Sequence, residues 1–173
     1  FVDEVCRYFH TQYFRPYSSD DLIGVEVGGA VKNVIAIAAG IAEGLELGAN
    51  ARAALVTRGL AEIARWGIAR GGRTETFMGL SGLGDLVLTC TDDLSRNRRF
   101  GLCVASGLSL EQAIEEVGLV EGAKTSVALA EVAHSDGIDM PICTQVAAVV
   151  AGEISPKEAV LALLAREVGA EIT

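Results

Sequence analysis

The chain has 173 residues, half of them hydrophobic but only 5% aromatic, and a formal net charge of −9. That length suits one domain with a real core, or a domain plus a fragment. The acidic balance argues against broad nucleic-acid binding, yet leaves room for a local basic pocket that takes a small anion.

Residues 1–12, "FVDEVCRYFHTQ", carry apolar or aromatic side chains at helical spacing. The next stretch, "YFRPYSS", is short and aromatic and contains Pro16, which predicts an edge strand. One helix and one strand make a poor unit alone. Residues 1–19 are therefore expected to be the tail of a sheet whose other strands lie upstream. The opening residues include acids and lack the basic-then-apolar layout of a signal peptide. They also start without methionine, so the chain is expected to be a piece of something longer.

From about residue 25 the sequence reads as helices. The first spans 25–44, with Gly28, Gly29, Gly40 and Gly44 marking close approaches or helix ends. Its apolar run from Val31 to Ile41 is too short for a membrane span and is interrupted by Lys32 and Asn33. A second helix is predicted over 49–70, with Arg52, Glu62 and Arg65 on a polar face. "GLGDLVLTCTDD" and "SRNRRFGLCVASG" follow. Ser109 with Gln112, and Ser155 with Pro156 and Glu158, have the spacing of capping boxes. Further helices are predicted over 121–135, ending at Gly137, and over 142–151. With no repeat or linker in sight, residues 20–173 are expected to form one mainly α, all-helical domain.

Lys32 stands in "GGAVKNVIAIAAG", an unusual place for a charge. Apolar surroundings disfavour an ammonium and make a lysine usable as a base near neutrality. The bland alternative is a snorkelling lysine, or a partner for Glu26 or Asp85. Spacing alone favours the bland one. Gly79, Gly82 and Gly84 precede Asp85 and an apolar helix; they either expose N–H groups to an anion or only make a turn. They do not form G-x-G-x-x-G. In "SRNRR", Ser95 suits a helix cap, and Arg96, Arg98 and Arg99 concentrate positive charge. An arginine fork fits phosphate or carboxylate, but a basic face answering Asp92 and Asp93 is the simpler arrangement. Glu121 either accepts hydrogen bonds from a ribose or amide, or favours a helix dipole. His10 and His134 have no evident partners and read as structural. Cys6, Cys90, Cys103 and Cys143 lack CxxC spacing. They read as small buried residues of a cytosolic protein, with no metal site expected.

Three blocks, "IGVEVGGAVKNVIAIAAGIAEGLELGANARAALVTRGLAEIARWG", "FMGLSGLGDLVLTCTDDLSRNRRFG" and "VEG", occur in that order. From about residue 14 onward the chain closely resembles the C-terminal half of the bacterial NAD(P)-dependent glycerol-3-phosphate dehydrogenases. The resemblance implies a helical domain like the C-terminal domain of 6-phosphogluconate dehydrogenase, following a Rossmann domain of which residues 1–19 would be the remnant. It implies interconversion of sn-glycerol 3-phosphate and dihydroxyacetone phosphate by hydride transfer with NAD or NADP, for glycerophospholipid synthesis. Lys32 matches the catalytic proton acceptor, and Asp85 the acid that contacts it. Asn33, Thr89, Ser95, Arg96 and Asn97 match substrate-binding positions, the last three at the phosphate. Arg96, Leu119 and Glu121 match cofactor contacts.

The residues themselves lead to the expectation of a cytoplasmic protein that inserts into no membrane and needs no metal, and the same resemblance implies a homodimer. It also implies that most of the cofactor site lies in the absent half, so the isolated chain is expected to be inactive. Two alternatives have the same helical domain: a non-catalytic dimerisation module, and a related hydroxyacid dehydrogenase whose substrate carboxylate would suit Arg96.

Overall fold

The computed structural model describes residues 1–166. The expected domain end at 173 lies outside them. Among the described residues there are ten α-helices and no strand. They are α1 (Val2–Phe9), α2 (Leu22–Gly44), α3 (Gly48–Ala69), α4 (Thr74–Phe77), α5 (Asp85–Thr91), α6 (Arg96–Ala105), α7 (Leu110–Val117), α8 (Glu121–Ser135), α9 (Pro141–Val150) and α10 (Pro156–Leu164). A π-helical turn, Leu80–Gly84, leads into α5.

α2 is the axle of the bundle. A helix apolar on every side has to be surrounded, and α3, α5, α6, α8 and α9 all pack on it. Val31 and every residue from Val34 to Ala42 are buried. The helix is long and apolar enough to cross a membrane, but here its apolar sides are the protein core. Its closest neighbour is α6. A Cβ at Gly40 would collide with the carbonyl of Arg98, and one at Gly101 with the carbonyl of Ile37. Only glycine allows the two backbones that close.

α2 starts at Asp21, whose carboxylate accepts the N–H of Gly24 at 2.9 Å and that of Arg73 at 2.8 Å. One buried side chain thus caps α2 and pins the turn after α3. Hydrogen bonds from the Thr76 hydroxyl, Arg73 N–H and Gly24 N–H hold it below the ordinary carboxylate value. Both expected capping boxes form, at Ser109/Gln112 and Ser155/Glu158.

Residues 10–19 do not form the expected strand. Thr11 instead closes a small turn, accepting the N–H of Phe14 at 2.9 Å and donating its own N–H to the Phe14 carbonyl at 2.8 Å. A strand requires a neighbour for its ladder, and no described segment offers one. α1 buries no residue, and Phe1, Tyr8, Phe9, Tyr13, Phe14 and Tyr17 are exposed.

Glu62 also departs from its expected place. It is 2% exposed, and its carboxylate accepts the N–H of Ile142 at 2.7 Å and of Cys143 at 3.1 Å. α9 begins after Met140, which has no side chain able to cap it, so a carboxylate from α3 does so. Burial pushes the Glu62 carboxyl up, against the pull of those N–H groups.

Candidate active site

α2 carries Lys32 on the face that also includes Gly28 and Gly29. A Cβ at Gly28 would lie 2.6 Å from the Ser81 carbonyl, so the π-helical turn presses on α2 one turn before the lysine. Gly29 has open space beside it. That turn delivers Asp85, the first residue of α5, to the lysine, and Lys32 Nζ donates to Asp85 Oδ2. The two side chains are 20% and 34% exposed, so the pair is reachable from solvent without being fully hydrated. The bland reading of Lys32 is the one seen: it has Asp85 as its partner and still faces outward.

Thr89, one turn along α5, gives its hydroxyl hydrogen to the Asp85 carbonyl at 2.6 Å. The oxygen of that hydroxyl remains an acceptor beside the carboxylate. An open cleft of about 410 Å³, lined by Tyr17, Leu22, Val25, Thr76 and Leu80, runs along the start of α2. Leu22, Val25, Gly29 and Lys32 follow one another at helical spacing, so cleft and lysine share a face.

The arginines of "SRNRR" divide by direction. Arg98 is 5% exposed and turned inward, where Glu43 accepts from it at 2.6 and 3.0 Å and Asp93 at 2.8 Å. Arg99 lies 4.0 Å from Glu116. Arg96 is exposed at the first residue of α6, and among the described residues no carboxylate lies within 4 Å of it. The basic face answering nearby acids is thus Arg98 and Arg99, and Arg96 is left over. Ser95 caps α6 by accepting the Arg98 N–H at 3.3 Å, which leaves its hydroxyl hydrogen for another partner.

Asn97 is buried between three helices. Its Oδ1 accepts the N–H of Gly122 at 2.9 Å and its Nδ2 donates to Asn33 Oδ1 at 2.9 Å. Asn33 Nδ2 in turn donates to the Gly29 carbonyl at 3.2 Å. Gly122 follows Glu121, which is exposed at the start of α8, and Leu119 is exposed just before. Lys32, Asp85 and Thr89 are therefore gathered directly. Asn33 and Asn97 join through their amides, and Leu119 and Glu121 through the backbone of Gly122.

Among the described residues, no group of three His, Cys, Asp or Glu side chains could hold a metal. Cys90 and Cys143 are buried, with the Cys90 thiol pushed up to about 12 by burial. Cys6 and Cys103 are half-buried, and the four are unpaired.

Residues 21–161 match the family described as the C-terminus of NAD-dependent glycerol-3-phosphate dehydrogenase. The chain belongs to that family. It is 60% identical over 159 residues to a glycerol-3-phosphate dehydrogenase [NAD(P)+] of Herminiimonas arsenicoxydans, covering 91% of this chain and 48% of that protein. It is 57% identical over 171 residues to one of a Janthinobacterium strain, covering 98% and 52%. The crystal structure of glycerol-3-phosphate dehydrogenase from Coxiella burnetii superposes with a TM-score of 0.91 at 47% identity, covering 95% of this chain and 51% of the other. The chain thus spans about half the length of these relatives, and the helical fold expected from the resemblance is the fold found.

Sequence reasoning missed Asp21 and Glu43, and misplaced Glu62. A signal existed for Glu62. α9 opens with Met-Pro, which supplies no cap, so a partner for its first N–H groups had to come from elsewhere in the chain.

Proposed function

We propose that this chain is the substrate-binding and catalytic half of a dehydrogenase that interconverts sn-glycerol 3-phosphate and dihydroxyacetone phosphate with NAD or NADP. The observation that carries the reading is the Lys32–Asp85 pair, beside the Asn33–Asn97 amides, together with Arg96, which has no carboxylate partner among the described residues. A phosphate needs donors and a carbinol needs a base. The site offers both.

In the oxidation direction the unprotonated Lys32 amine takes the proton of the C2 hydroxyl. In reduction the Lys32 ammonium donates to the C2 carbonyl oxygen, polarises it and returns the proton. Asp85 orients the lysine and balances its charge. Arg96, the Ser95 hydroxyl and the second N–H of Asn97 receive the phosphate, while Asn33 and the Thr89 oxygen serve the hydroxyl groups. The nicotinamide ring, when bound, gives or accepts the hydride at C2. The chain has only one edge of a cofactor site to offer: the exposed Glu121 carboxylate, the exposed backbone near Leu119, and Arg96. It contains no glycine-rich phosphate loop of the dinucleotide-binding kind. This edge fits a cofactor held mainly by a preceding nucleotide-binding half, to which residues 1–19 are assigned, with residues 20–173 as the helical domain. A cytoplasmic homodimer completes the proposal.

The test is NADH consumption with dihydroxyacetone phosphate by the full-length protein that contains this chain. Turnover should fall by roughly 10²–10⁴-fold in Lys32→Ala, the range for a lost acid–base group. No turnover in a folded parent, or undiminished turnover in the variant, would sink the assignment. Parallel trials with 2-hydroxy acids separate the carboxylate-substrate alternative.

A further inference from the structure

Asn33, Asn97 and Gly122 are each the chain neighbour of a residue assigned to the chemistry: Lys32, Arg96 and Glu121. They are also tied to one another. We infer that Asn97 is a positioning residue that couples the cofactor-facing start of α8 to the catalytic lysine on α2, in addition to any contact with substrate. The inference rests on the function proposed above.

The direction of the hydrogen bonds supports this. A backbone N–H can only donate, so the atom that Asn97 turns to Gly122 is its oxygen. Its amide nitrogen must then face Asn33, which has to answer with its own oxygen. The Asn33 nitrogen is thereby turned to the carbonyl of Gly29. One donor on α8 sets the orientation of both amides, the second of them on the residue next to Lys32. Bonds arranged in series in this way polarise and reinforce one another. The contact is also too tight to slip, because a Cβ at Gly122 would lie 2.6 Å from the Asn33 carbonyl oxygen and 2.8 Å from Asn97 Oδ1.

The test uses the full-length protein and two readouts: NADH affinity without substrate, by nicotinamide fluorescence, and KM and kcat with dihydroxyacetone phosphate. Folding is checked by circular dichroism. Asn97→Ala should weaken NADH binding about fivefold, the worth of roughly one hydrogen bond. Asn97→Asp keeps the acceptor for Gly122 but turns a carboxylate toward Asn33 Oδ1. Its NADH affinity should stay within about twofold, while kcat/KM falls about tenfold. Gly122→Ala has no side chain that can bind a phosphate, yet it should both weaken NADH and raise the substrate KM.

Unchanged NADH affinity in Asn97→Ala, with only the substrate KM raised, would overturn the coupling. So would equal NADH losses in Asn97→Ala and Asn97→Asp. If Asn97→Ala does not fold, a Gly122→Ala protein altered in NADH affinity alone overturns it. A parent that binds NADH but does not turn over dihydroxyacetone phosphate counts against the proposed function instead.

Discussion

Lys32 and Asp85 stand 53 residues apart in the chain and form an ion pair across the contact between α2 and α5. Neither is fully buried, and the π-helical turn before α5, which bears on Gly28, leads the carboxylate to the lysine. π-turns are rare in helices and recur at functional sites. Here the turn sets where α5 begins.

An amide at position 85 would keep the shape but lose the charge that holds the ammonium. Asp85→Asn in the full-length protein should lower kcat by roughly 10²-fold, the scale of losing one aligned electrostatic contact. Circular dichroism should be unchanged. Steady-state kinetics with dihydroxyacetone phosphate checks this, and a kcat equal to that of the parent would remove Asp85 from the mechanism.

Arg96 and Arg98 should respond in opposite ways. Arg98→Ala removes the buried guanidinium from the Glu43 and Asp93 carboxylates, leaving Glu43 only Arg52 at 3.4 Å, and should destabilise the fold by about 2 kcal/mol, the scale of hydrogen bonds to charged groups. Arg96→Ala touches no described partner. Its unfolding midpoint should match the parent, while kcat/KM for the phosphorylated substrate collapses. Denaturant unfolding alongside kinetics separates the two residues.

Asp21 and Glu62 give stability opposite slopes with pH. Hydrogen bonds hold Asp21 below its ordinary 3.8, so its contribution is present above that value and is lost as pH falls through the folded pKa. Burial raises Glu62 above its ordinary 4.5, so its contribution is full below that value and is lost as pH rises through the folded pKa. Asp21→Asn should flatten the acid limb of a stability–pH curve, and Glu62→Gln the limb above it. Glu62→Ala strands two N–H groups at the start of α9 and should cost about 2–3 kcal/mol. Urea unfolding across the pH range measures all three.

Removing residues 1–12 should leave the bundle intact. α1 buries nothing, and the cap of α2 begins later, with Ser19 and Asp21. The shortened chain should unfold at the same urea midpoint as the parent chain. A lower midpoint would mean that α1 supports the helical domain directly.

The helices were legible because their signals are local. The apolar stretch of α2, the Ser109 and Ser155 boxes and the glycine after α8 each act within a few residues, and α2, α3, α8 and α9 lie within a few residues of their expected spans. The edge strand failed for the opposite reason. Aromatic residues around Pro16 have strand propensity, but a strand exists only when a neighbour takes its hydrogen bonds. Glu62 failed similarly, since helical periodicity placed it on a polar face while the unmet N–H groups of α9 drew it inward.

The sequence by itself determined that the protein is a helical bundle built on one apolar helix. It also determined which family it belongs to, because motifs such as "GGAVKN" and "SRNRRFG" keep their order whatever the packing. Only the tertiary structure decided which arginine was spent on Glu43, which had no carboxylate beside it among the described residues, and how Asn97 was turned. Those outcomes depend on helices far apart in the chain coming within hydrogen-bond distance. That distance is set by packing, down to the absence of a Cβ at Gly28 and Gly122, and no local pattern of residues encodes it.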